Sequence, residues 1–255
     1  MKSPEQVPGQ KYSPEQKERI KYVLEIADRD LSSPSLAGYH GTGIASLKLL
    51  IETGKLFGRP LKGNMADSHG IGNKGDLHFY PRAAGFPKDF NQYHLGRSLG
   101  NLTEKKSIEY ATDYARDASE RDIFMELAGL DQSIQEHRDL FYEFSSGKDV
   151  EAGVNLAYDN PEAFKDVLDI AEKLKLSRNN LIDILKRVQE ETLSRKGLIF
   201  GLDQKLLDKY KIKSGDEGDD LFINCPDGLD YKDVCGLRAL GKTEKEFLAN
   251  LRTKI

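Results

Sequence analysis

The chain has 255 residues, of which 38% are hydrophobic and 31% charged, and its formal net charge is −4. This length supports one well-buried core, or one domain with a sizeable insertion, and the acidic balance excludes a polyanion-binding signature for the whole molecule while leaving room for a local basic patch. No run of about 18 apolar residues exists, which excludes a helical membrane span.

The opening Met1-Lys2-Ser3-Pro4-Glu5-Gln6 has no apolar core, which argues against a signal peptide for general export. The polar first dozen residues, with Pro4 and Pro8, read as a loose tail. A helix is predicted from Ser13-Pro14-Glu15, where serine caps and proline suits the first turn. Ile20, Val23, Leu24 and Ala27 recur along it at helical spacing, and Ser32-Ser33-Pro34 ends it. The apolar Leu36-Ala37-Gly38-Tyr39 leads into His40-Gly41-Thr42. Ser46 to Thr53 reads as a second helix, with Leu47, Leu50 and Ile51 inward and Gly54 as C-cap.

Residues 57–75, rich in Gly, Asn and Lys, form a loop of functional length. Leu77-His78-Phe79-Tyr80 is a short strand candidate, and Pro81 to Gly100 is irregular. Helical character returns from Lys105 to Ala118 and through much of Ile123 to Phe144. Asn160-Pro161 opens a helix with Phe164, Val167, Leu168, Ala171 and Leu174 on one face. Ser177 opens the next, with Leu181, Ile184, Leu185 and Val188. Leu198 to Leu202, Leu221 to Ile223 and Val234 to Leu240 are strand candidates. A mixed front, a helical middle and a strand-rich end read as α+β with a helical insertion at about 122–191.

Several chemistries are set aside. Cys225 and Cys235 make neither a disulfide framework nor a zinc site, and a reducing compartment follows. His69, His78 and His94 have no metal-ligand spacing. Gly70-Ile71-Gly72 with Lys74 lacks the Walker pattern. Asp216-Glu217-Gly218-Asp219-Asp220 does not fit a calcium loop, so no metal is expected.

Three short motifs remain, in order. Tyr39-His40-Gly41-Thr42 is followed by Leu50-Ile51 and Gly54-Lys55-Leu56. Lys106-Ser107-Ile108-Glu109-Tyr110-Ala111 comes next. Asp220-Leu221-Phe222-Ile223-Asn224 then runs into Leu229-Asp230-Tyr231-Lys232. Together they resemble the NAD-binding motifs of poly(ADP-ribose) polymerases and diphtheria-toxin-like ADP-ribosyltransferases. Those motifs are His-Gly-Ser/Thr with a later Gly-Leu, then Lys-Ser-x-x-Tyr, then a Glu-Tyr-Ile-Val-Tyr strand with Leu-Lys-Tyr. Each alone is weak; three in order, each on the expected kind of element, carry the reading.

The resemblance spans roughly residues 39–240. It implies an ADP-ribosyltransferase-like split β-sheet core, with 1–35 as N-terminal tail and helix and 36–255 as catalytic domain. The chain departs from the pattern in its long helical stretch and in having Asp220 where the family has glutamate.

The resemblance also implies roles for individual residues. Gly41 backbone groups and the Ser107 hydroxyl hold the nicotinamide carboxamide. His40, helped by Thr42, binds the adenosine ribose. Tyr110 stacks on the cationic nicotinamide, with Tyr80 or Phe79 as a second wall. Asp220 supplies the negative charge beside the oxocarbenium-like ribose, and Glu217 can replace it if its loop folds over the site. Plain structural readings stand beside these: His40 as a strand end satisfied by backbone, Ser107 and Tyr110 as helix cap and core aromatic, 216–220 as a solvated turn.

The expected activity is NAD-dependent mono-ADP-ribosyl transfer, with NAD as substrate, no metal, and a protein acceptor favoured over nucleic acid. Lys173, Lys175, Arg178, Lys186 and Arg187 are candidates for selecting that acceptor. One alternative is an RNA 2′-phosphotransferase-like enzyme, although Arg59, Arg82, Arg97 and Arg195 form no pattern. The other is an inactive module that binds NAD or ADP-ribose. The expected location is cytoplasmic, or a host cytoplasm reached by a non-classical route.

Overall fold

The computed structural model describes residues 12–27, 29, 31, 35–58, 76–82, 103–131, 134–145, 149–214 and 221–255. Local chemistry sets the start of α1 (Pro14–Ala27). The Ser13 hydroxyl accepts from the Gln16 amide at 3.2 Å, and Gln16 Oε1 accepts from the Ser13 amide at 2.9 Å. This reciprocal box satisfies donors that a helix start leaves open. α2 (Ile44–Thr53) stops at Gly54, whose amide donates to Leu50 O at 2.8 Å.

The strands are β1 (Leu36–Thr42), β2 (Lys55–Leu56), β3 (Asp76–Pro81), β4 (Leu198–Asp203), β5 (Lys211–Ser214), β6 (Leu221–Asn224), β7 (Leu229–Asp230) and β8 (Val234–Ala239). Six of them form one antiparallel sheet in the order β5-β6-β3-β1-β4-β8, and β2 pairs with β7. β1 is buried along its whole length, as a central strand covered on both faces must be. Its register with β4 runs from Leu36↔Asp203 to Thr42↔Leu198, with an irregularity near Gly38. Its seam with β3 is short: Gly38↔Pro81 and Tyr39↔Tyr80. The protein is therefore α+β.

One face of the sheet carries Leu77, Phe79, Leu198, Phe200, Leu202 and Ile223 against α1, α2, the short α8 (Leu206–Lys209) and α9 (Lys242–Arg252). Across the other face runs α3 (Glu104–Ala128), opened by Thr103, whose side chain accepts from the Lys106 amide, and closed at Gly129. Ser107, Ala111, Ala115 and Ser119, four residues apart and all buried, form its sheet-facing edge. Small residues there let the backbones come close. A Cβ on Gly41 would stand 2.1 Å from Ala111 O and 2.7 Å from Ala115 N, both of them backbone.

α3 then leaves the sheet and enters a second core. Its Ile123, Phe124 and Met125 pack with residues from α4 (Gln135–Ser145), α5 (Val150–Asp159), α6 (Lys165–Lys173) and α7 (Arg178–Glu191), among them Leu140, Val154, Ala171 and Leu185. The expected pair of helical stretches at 105–118 and 123–144 is thus one unbroken helix to Ala128, followed by α4. The helix expected to open at Asn160-Pro161 instead starts at Lys165 after a turn, and Ser177 caps α7 as expected.

Candidate functional site

In β1, the first motif divides its labour. Tyr39 is fully buried; its hydroxyl lies 3.2 Å from Leu31 O and donates to Glu104 Oε1 at 2.9 Å, tying the strand to the start of α3. Burial and then Glu104 hold this phenol protonated, well above its ordinary range. His40 is buried too, and its Nδ1 lies 2.6 Å from His78 O. A carbonyl only accepts, so Nδ1 carries the proton and Nε2 is left as an acceptor. Desolvation is the main cause that pushes the imidazole down to about 4, against the His78 carbonyl, so the ring is neutral near pH 7.

Thr42 donates to Ser46 Oγ at 2.7 Å. Just beyond it, α2 starts at Gly43, which has no capping side chain of its own. Asp122 of α3 serves instead, accepting from the Ala45 amide at 3.1 Å. A Cβ on Gly43 would meet that carboxylate at 1.9 Å, so the cap depends on the bare backbone.

The second motif lies on α3. Ser107 is fully buried and donates to Pro81 O at 2.7 Å, so its hydroxyl proton fixes α3 to β3. Tyr110 is 36% exposed and stands at the rim. Its ring centroid is 5.5 Å from that of Tyr80, tilted by 41°. The aromatic contacts continue inward: His78 lies 4.7 Å from Tyr80, 5.0 Å from Tyr114 and 5.1 Å from Phe222, and Tyr114 lies 6.4 Å from His40. His40, Tyr80 and Tyr110 are thus brought to one place, at the seam of β1 and β3 beneath α3. Gly41 adjoins Ala111 of the same helix.

The third motif is described in part. Leu221 opens β6 opposite Phe79, and Asp220 and Glu217 lie outside the described residues. β2 and β7 join the end of the first motif to the third, with Lys55 opposite Asp230 and the Tyr231 amide on Gly54 O at 3.0 Å. Neither His78 nor Tyr114 belongs to the three sequence motifs. The signal for Tyr114 was its place one turn after Tyr110.

Among the described residues no group of three His, Cys, Asp or Glu is placed to hold a metal ion. Burial pushes the Cys225 thiol up to about 11 and that of Cys235 up to about 12, away from nucleophilic use. No described helix is long and apolar enough to cross a membrane. Of the proposed acceptor-selecting cations, Arg178 bonds Asn155 and Asp159, Lys186 pairs with Glu151, and Arg187 with Glu191. No family model, curated protein or solved structure gives a match to this chain.

Proposed function

We propose that this chain moves one ADP-ribose unit from NAD to a macromolecular acceptor, a protein in preference to a nucleic acid, and releases nicotinamide. The observation that carries the reading is the meeting of motifs 70 residues apart in the chain: His40 on β1 and Tyr110 on α3 are joined with Tyr80 by one run of ring contacts through Tyr114 and His78. The short β1–β3 seam supports a split-sheet ADP-ribosyltransferase core as the finer form of the fold.

The chemistry asks for a site of this kind. The bond between the nicotinamide nitrogen and ribose C1′ breaks, and its electron pair leaves with the ring, which becomes neutral. An acceptor nucleophile forms the new bond to C1′ and gives its proton to a carboxylate or to water. Aromatic faces favour the cationic ring, each by about 1–2 kcal/mol when water is excluded. A ring held between Tyr80 and Tyr110 needs about 7 Å between their faces, so the 5.5 Å pair must open by roughly 1.5 Å. Tyr110, at the rim, is the wall free to swing. His40 Nε2, kept unprotonated, is a standing acceptor for a ribose hydroxyl. The third motif aligns Asp220, rather than Glu217, with the family's glutamate, which favours Asp220 as the carboxylate. An aspartate there favours single transfer over chain building.

Incubation with adenine-labelled NAD and a cell extract, followed by mass analysis, tests this. The label is expected on protein, and Asp220→Asn should lose more transfer than Glu217→Gln. The reverse ranking moves the carboxylate to the loop. NAD binding without nicotinamide release would make the chain a binding module.

A further inference from the structure

The run of rings does not end at His40. Tyr110, Tyr114, Asp117 and Arg121 recur along α3 at intervals of four, three and four residues, which places them on one helical face. That face runs about 16 Å from Tyr110 to Arg121 at the rise of an α-helix.

At its far end Arg121 donates from Nη1 to the Tyr142 hydroxyl at 2.8 Å. α4 carries Arg138 one turn before Tyr142 and brings it to the same phenol. Asp117 and Asp122 act on Arg121 through space, yet among the described residues neither guanidinium closes an ion pair with a carboxylate. Arg138 Nε is buried without a hydrogen-bond acceptor. Both arginines are half-buried and Tyr142 as a residue is 43% exposed, so the cluster lies near the surface.

Two cations sharing one neutral oxygen repel each other. Burial and then Arg121 push the Arg138 guanidinium below its ordinary value. Burial raises the Tyr142 phenol, but the two cations outweigh it and hold the phenol low. The cluster also adjoins the same run of rings: Tyr114, about two turns before Arg121 on α3, lies 5.0 Å from His78 ring to ring. A multiply charged oxyanion would turn the repulsion into attraction. The planar forks of two arginines match phosphate oxygens, and the phenol adds a donor.

We propose that Arg121, Arg138 and Tyr142 form a phosphate-binding subsite at the junction of α3 and α4, on the same face of α3 as Tyr110 and Tyr114. Only the source of the phosphate rests on the NAD reading: it is the pyrophosphate of the dinucleotide, or a phosphate carried by the second substrate.

Calorimetric titration of the full chain with inorganic pyrophosphate tests the subsite. The wild type should bind saturably. Arg138→Gln should bind at least tenfold more weakly, and Tyr142→Phe, a change at an exposed position that leaves packing intact, several-fold more weakly. Lys245→Gln, exposed on α9, should bind as the wild type does. Absence of saturable binding by the wild type, or undiminished binding by both Arg138→Gln and Tyr142→Phe, overturns the subsite. ADP-ribose is then added as competitor. Displacement of pyrophosphate assigns the site to the dinucleotide. Failure to displace it assigns the site to a second substrate's phosphate and counts against the NAD reading while the subsite stands.

Discussion

His40 shows how one residue's environment becomes a measurable property of the protein. Its pKa is about 4 in the fold and near 6.5 when exposed. Between those values the unfolded chain takes up a proton that the folded chain refuses. The stabilising difference is therefore full above about pH 6.5 and is lost as pH falls toward 4, by on the order of 3 kcal/mol. Comparing wild type with His40→Gln isolates this, because the other groups titrate alike in both chains. Urea unfolding at pH 7 and pH 4.5 should show the wild type's advantage shrinking on acidification. An advantage equal at both pH values would mean that His40 is not held neutral. The sequence marked His40 through its neighbours Gly41 and Thr42. It gave no hint that the Nδ1 proton goes to His78 O, because that bond spans strands whose separation follows from the sheet.

At the scale of elements, α3 organises the site, and its edge of small residues sets its distance from β1. Gly41→Ala would drive a methyl into the backbone of Ala111 and Ala115, and should destabilise the protein by about 3 kcal/mol. Gly153, inside α5, is the contrasting case, since the nearest atom to an added Cβ is Phe144 O at 3.9 Å. Gly153→Ala should stabilise by about 0.5–1 kcal/mol through helix propensity. Denaturant midpoints of the two variants should move in opposite directions; a neutral Gly41→Ala would contradict the close approach. Elements with strong local signals were readable from sequence: the Ser13 and Ser177 caps, the Gly54 stop, and the apolar runs of β1, β4 and β8. α9 was missed although Phe247, Leu248 and Leu251 recur at helical spacing. β5 was missed because a four-residue strand, Lys211–Ser214, with two lysines carries little pattern.

For the whole molecule, two hydrophobic cores share one helix. The sheet core and the helical core at 123–188 meet through α3, and Glu126 near its end holds Arg195, just before β4, in a two-pronged ion pair. Unfolding should therefore be one transition. Leu185→Ala, deep in the helical core, should cost about 2–5 kcal/mol and lower the melting of sheet and helices together. Separate transitions by circular dichroism and tyrosine fluorescence would show that the helical part stands alone.

The site was legible in sequence only as far as the motif residues reach. The arginines pointed in no direction in one dimension, because Arg121 and Arg138 meet only when α4 folds back on α3. If the proposed function holds, NAD is bound where β1, β3 and α3 meet and its glycosidic bond is broken there. The most direct measurement is release of nicotinamide from NAD labelled in that ring, by the wild type and by Tyr110→Ala. Tyr110 sits at the rim, so its loss should leave melting unchanged. We expect steady release by the wild type and release about five- to thirtyfold slower in the variant, as the loss of one stacking face implies. Equal release by both proteins, or none by a folded wild type, would contradict the proposed function.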